Sequence, residues 1–186
     1  MENSERGIAS RRDKLLPGIA AVAVLAVDQL TKLLVVMNIE YTRPPQVAFQ
    51  FFGDFFQIIH TRNLGIAFSM GRGLPETWRS VLFVLLPLLV MIGLAVYYWR
   101  TNELSQAQRW FIAVIVGGGL GNLIDRFFRS EGVVDFLDVR IYGLFGMERW
   151  PTFNIADAAV VVAGILFMGS ILIEDIRNNR REKGNE

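Results

Sequence analysis

The sequence predicts an all-α polytopic membrane protein: four transmembrane helices with a small extracytoplasmic β platform and loop. Three observations carry this. Of the 186 residues, 52% are hydrophobic. Those residues gather into four long runs instead of spreading through the chain. A phenylalanine-rich stretch between the first two runs partly alternates, as strands do.

Residues 1–14 form a polar segment with Arg6, Arg11, Arg12 and Lys14. The first run, Leu15 to Ile39, is interrupted only by Asp28, Gln29, Thr31, Lys32 and Asn38. A bilayer core of about 30 Å needs about 20 mostly apolar helical residues, and this run meets that length. It is too long and too charged for a signal-peptide core, and no small-residue cleavage site follows, so it reads as a retained span. A loop over about 40–79 comes next. Its VAFQFFGDFFQII, at 47–59, points to short strands whose aromatic side chains suit the headgroup region. The second run, Val81 to Trp99, carries no charge, and Pro87 within it marks a kink. The third, Trp110 to Ile124, is glycine-rich and short, and extends back towards Leu104. A second loop covers 125–153. The last run, Ile155 to Ile173, has Asp157 as its only charge. The membrane domain is therefore 15–175, and 176–186 is a polar tail expected to be disordered.

Four spans put both termini on one side. Lysine and arginine in short segments near span ends set orientation. Both termini carry such clusters, and the short loop between spans two and three adds Arg100 and Arg109. Eight arginines lie on the other side, spread over two much longer loops. Both termini are expected in the cytoplasm. Trp78, Tyr97, Tyr98, Trp99, Trp110 and Trp150 fall near predicted span ends, as an aromatic belt does.

Several chemistries drop out on composition. There is no cysteine, so no thiolate nucleophile, disulfide or cysteine metal site. His60 is the only histidine, which rules out a multi-histidine zinc site. No cofactor is expected. The net charge of +1 says little about partners.

Ionisable groups at membrane depth cost at least about 2.5 kcal/mol, so each requires a reason. Asp28 and Lys32 stand four apart with the acid first, the favourable order for a helical ion pair. A sharper reading makes Lys32 the base for a serine nucleophile, Ser69 or Ser80; Asp28 beside it would keep it charged. In GGGLGNLIDR, 117–126, the glycine spacing fits neither a dinucleotide nor a Walker loop. Gly117 and Gly121 instead form the GxxxG of a close helix contact. Asn122, Asp125 and Arg126 follow at the outer end, either as an internal network or as groups that position a substrate or a catalytic acid.

In FNIAD, Asn154 is placed to cap a helix, with Asp157 at its third position. Asp135 and Asp138, in GVVDFLDVR, could be ordinary loop acids. The combination changes the balance. The third span ends before Asp135 and the fourth begins at Asp157, and the connecting loop returns to the same membrane face. Two carboxylates sharing a site hold one proton between them. Such a pair activates a water as general base and then protonates a leaving amine. The helix N-terminus favours ionised Asp157, which assigns the shared proton to Asp135.

DQLTK at 28–32, NLGIAF at 63–68, GNLIDR at 121–126, VVDF at 133–136 and FNIAD at 153–157 together resemble the lipoprotein signal peptidases, the bacterial type II signal peptidases. The elements occur in that family's order and spacing across roughly residues 15 to 175. Ile66 stands where many members have a small residue. The resemblance implies a four-helix inner-membrane aspartic protease with an outward-facing strand platform. Its substrates are prolipoproteins with a diacylglyceryl-modified cysteine, cut immediately before that cysteine. It also implies that Asp135 and Asp157 are catalytic and that Asp28, Lys32, Asn63, Asn122, Arg126 and Asn154 support them. Asp125 is read as structural or accessory. Membrane lipids and globomycin-like peptides are expected partners; nucleic acid is not. The segment 47–72 is a candidate lid over the site, or else a static platform. The rival readings are a small transporter using Asp28, Lys32, Asp125 and Asp157 as a proton or ion relay, a structural subunit whose acids only cap helices, and the Ser-Lys peptidase.

Overall fold

The computed structural model describes residues 10–65, 73 and 75–183. The segment 66–72, which contains Ile66, Ser69 and the end of NLGIAF, therefore lies outside the described residues, as do 1–9, 74 and 184–186. The candidate lid is described only as far as Gly65.

Four helical stretches are long and apolar enough to cross a membrane: 11–38, 81–100, 106–128 and 155–181. The first combines a short helix α1, Arg11–Leu15, with α2, Gly18–Asn38. Ser10 and Asp13 cap α1 reciprocally, and Pro17, which has no N–H to leave unbonded, opens α2. The second, preceded by the short helix α3, Glu76–Ser80, comprises a π-helical turn over Val81–Leu85 and α4, Leu86–Arg100. The irregularity expected at Pro87 takes the form of that π turn. Proline cannot donate to the preceding turn, and the wider turn accommodates it, with the Leu86 N–H reaching back five residues to the Val81 carbonyl. The third, α5, Gln106–Phe128, starts where a Ser105–Gln108 capping box places it.

The last helix, α6, runs over Ile155–Lys183 and corrects one expectation. The polar tail is helical as far as Lys183 instead of disordered from 176. Its Arg, Asn, Glu and Lys residues include no glycine or proline before Gly184, so an established helix propagates through them at little cost.

α5 is the hub. It packs on α2, α4 and α6, and its glycines let backbones approach. A Cβ at Gly117 would collide with the backbone of Ala21 on α2. One at Gly121 would stand 2.5 Å from the Asp28 carboxylate, and one at Gly118 only 2.7 Å from the Ala156 carbonyl on α6. The predicted GxxxG pair thus faces α2, while its neighbour faces α6. Small residues substitute for the missing hydrophobic drive between helices in lipid.

Three antiparallel strands lie in the order β1, Val47–Phe51; β2, Phe56–Asn63; β3, Val133–Val139. The first two answer the alternating stretch. The third was not read from the sequence; its Val-Val-Asp-Phe-Leu-Asp-Val pattern pairs with β2, with Asp135 opposite Thr61. Val134 and Phe136 pack on Val35 of α2 and against Ile155, which bolts the sheet to one end of the bundle. Successive strand side chains point to opposite faces, so seating Val134 and Phe136 in that core turns Asp135 the other way.

Replacing Gly118 with leucine should wedge α5 from α6 where α6 begins. Overpacking of this kind costs roughly 1–3 kcal/mol or more. Thermal unfolding in detergent should show a melting temperature several degrees lower.

Candidate active site

The polar residues meet where the sheet, α5 and the start of α6 converge. The deepest layer is ionic. Lys32 on α2 is fully buried and pairs with Asp28 at 2.8 Å and with Asp125 of α5 at 3.2 Å. It also donates to Asn122 Oδ1 at 2.9 Å. Its three N–H donors therefore have three acceptors, none of them a serine hydroxyl. Ser80, at the end of α3, is exposed and lines a separate cavity with Arg126. The Ser-Lys arrangement is thus not formed with that serine; Ser69 is outside the described residues.

Both acids around Lys32 have a second task. Asp28 Oδ1 accepts the backbone N–H of Ala156 at 3.0 Å, in the first turn of α6. Asp125 Oδ2 accepts the N–H of Val134 at 3.1 Å, on β3. One acid thus holds the residue before Asp157, and the other the residue before Asp135. Arg129 completes the cluster 3.1 Å from Asp125. Gln29, which the sequence reading passed over, donates to Asp28, to the Gly121 carbonyl and to Asp125. Its place inside DQLTK was the only available signal.

Above this layer stand the two aspartates. Asn154 and Asp157 form the predicted cap reciprocally: the Asp157 N–H donates to Asn154 Oδ1 at 3.0 Å, and the Asn154 N–H to Asp157 Oδ2 at 3.2 Å. The Asn154 side-chain amide also donates to Asp135 Oδ1 at 2.7 Å. One residue therefore binds both carboxylates. Asn122 Nδ2 donates to Asp157 Oδ1 at 2.7 Å, and Asn63 Nδ2 to Asp135 Oδ2 at 3.0 Å. Of the supporting residues, only Arg126 makes no bond within this network; it donates to the Gly65 carbonyl at 2.6 Å and sits over the Phe83 ring. Asp138, the other loop acid, pairs with Arg149 at 2.8 Å.

Asp135 is 2% exposed. Burial, and after it the charge of Asp157, push its carboxyl up from 3.8 to about 7, against the pull of the Asn63 and Asn154 hydrogen bonds. The folded protein therefore keeps this proton at pH values where the unfolded chain has released it. Stability linked to it is lost as pH rises from about 4 towards 7.

A second polar cluster, including Arg109, Gln108 and Tyr98, lies at the other end of the bundle. Between Arg109 and Asn122, α5 carries no charged or amide side chain. No polar path along α5 joins the two clusters, as an ion relay would need.

The family model described as signal peptidase (SPase) II matches residues 20–173. The chain belongs to the signal peptidase II family. It is 46% identical to the lipoprotein signal peptidase of Treponema denticola over 171 residues, covering 92% of this chain and 96% of that one. The lipoprotein signal peptidase of Treponema pallidum is 40% identical over 176 residues, 95% of this chain and 93% of that one. The fold is similar to that of a bacterial membrane enzyme solved by the in meso method at 2.3 Å resolution. The TM-score is 0.70 and the identity 27%, over 88% of this chain and 90% of that one. As a member of the signal peptidase II family, the protein is a multi-pass membrane protease.

Replacing Lys32 with alanine would strand two buried acids. Removing one partner of a buried pair costs roughly 3–5 kcal/mol. Denaturation in detergent should show that loss, and the conservative Lys32→Arg should recover only part of it.

Proposed function

We propose that this enzyme is an aspartic endopeptidase in which Asp135 and Asp157 share one proton and activate a water. The substrate is a prolipoprotein with a diacylglyceryl-modified cysteine, and the cut falls immediately before that cysteine. The observation that carries the reading is Asn154, whose backbone and side-chain N–H groups bond to the two carboxylates. A residue that only capped α6 would have no reason to grip an acid on β3.

In the proposed reaction, Asp157 accepts a proton from the water as its oxygen attacks the scissile carbonyl. Asp135 donates its proton to the carbonyl oxygen, giving a neutral tetrahedral diol. As the diol collapses, one hydroxyl proton returns to Asp135. The proton held by Asp157 passes to the nitrogen, and the carbon–nitrogen bond breaks. Asn63, Asn122 and Asn154 hold the carboxylates at the geometry this requires, and Arg126 is available to the substrate backbone or its ester groups.

We place the enzyme in the bacterial inner membrane, with both termini cytoplasmic and the dyad near the extracytoplasmic face. The bonds from Lys14 to the Trp99 carbonyl and from the Tyr98 hydroxyl to the Lys14 carbonyl support part of this topology. They hold α1 beside the end of α4, which gathers the basic span ends on one side. The substrate's signal helix would lie among the spans, with its acyl chains in lipid. Globomycin-like peptides would occupy the dyad in competition with substrate.

The test is release of the signal peptide from a purified diacylglyceryl-modified prolipoprotein. Asp135→Asn and Asp157→Asn should each lose at least about 100-fold, the scale of lost acid–base catalysis. At pH 8 the Asp135→Asn protein should melt no lower than wild type, because the substitution removes a buried charge; unimpaired turnover in either variant would refute the dyad.

The alkaline limb of the kcat/KM profile should fall as pH rises through about 7, since the dyad then loses its shared proton. A profile flat from pH 6 to 9 would remove Asp135 as its holder.

A further inference from the structure

Two cavities reach this region. The smaller, about 190 Å³, is walled partly by span residues, Phe83 and Arg126 among them. The larger, about 460 Å³, has Asp135 in its wall, which the smaller does not. All its lining residues fall outside the four spans: the turn after α2 with Tyr41 and Arg43, the end of β2 with Arg62 and Asn63, Asp135 itself, and Thr152. Its size suits a peptide segment or small ligand, about 300–1,000 Å³ being usual.

We propose that this larger cavity is the subsite for the prolipoprotein residues that follow the cut, and that Arg43 gives it a preference for an acidic side chain. The inference rests on the peptidase reading above. An apolar signal helix needs walls made by spans, and this cavity has none. The chain leaving the scissile bond in the opposite direction is polar and heads away from the bilayer. The cavity next to Asp135, built from loops and strands, lies on that route.

The charge preference comes from the wall. Arg43 lies 5.3 Å from the Tyr41 ring centroid, and its Nε donates to the Tyr41 hydroxyl. Tyr41 rests in turn against His60, with 5.5 Å between the rings. His60 is buried and fixed by a 2.7 Å bond to the Ile39 carbonyl. The guanidinium is therefore tethered at Nε to a ring that rests on β2, which leaves its terminal N–H groups available to a carboxylate. Among the described residues no carboxylate pairs with Arg43, whereas Arg62, on the same wall, has Glu131 at 3.6 Å.

The experiment uses the full-length enzyme in detergent and three diacylglyceryl-modified substrates. They differ only at the two positions after the lipidated cysteine, which carry Asp, Asn or Lys. Wild type should cleave the Asp substrate with roughly fivefold higher kcat/KM than the Lys substrate, the scale of a partly exposed charge pair. High salt should narrow that ratio. Arg43→Lys should keep the order and Arg43→Glu should invert it. Each ratio is internal to one protein, so lost fold or overall activity cancels. Equal cleavage of all three by wild type, or an uninverted order in Arg43→Glu, overturns the subsite. Failure to cleave any of them overturns the peptidase reading itself.

Discussion

The site depends on a buried ammonium. Lys32 could not remain charged away from water without compensation, because desolvating an ion costs several kcal/mol even after relaxation. Asp28, Asp125 and the Asn122 oxygen provide that compensation, and Arg129 brings the cluster to two cations and two anions. The neutrality matters less than what the acids do with their remaining oxygens. Asp28 takes a backbone N–H from the first turn of α6, and Asp125 takes one from β3. A strand and a helix with no covalent reason to share a register are thereby set against each other by one ion cluster.

Much of this could be read from the chain because it is local. Asp28 and Lys32 are four apart on a helix, and the cap at FNIAD is a three-residue relation; both appear as read. A cap at Asp157 and a site around it are compatible, since Asn154 serves the cap and binds the acid on β3 as well. What escaped is non-local. β3 exists as a strand because β2 supplies its ladder and Val35 its floor, and neither relation leaves a mark in seven residues. The link from Lys32 to Asp125 crosses some ninety positions. The helical tail escaped for another reason: its polar composition fits a solvated helix as well as a disordered chain.

α5 explains how so many polar groups converge without loosening the bundle. Its glycines bring α2 and α6 within backbone contact over the turns that precede Asn122. Long amide and lysine side chains then need to span only short gaps. The apolar stretch between Arg109 and Asn122 keeps the two polar clusters separate, so each end of the helix answers to its own surroundings.

The sharing of Asn154 between the α6 cap and the acid on β3 has a consequence for biogenesis. Asp157 arrives with the last span, and its neighbour Ala156 is caught by an acid on the first long helix. Until that span has entered the bilayer and docked, one half of the pair is missing and the other faces no partner. On the dyad proposed above, a chain whose last span has not docked would lack proteolytic activity, so insertion and activation would be a single event.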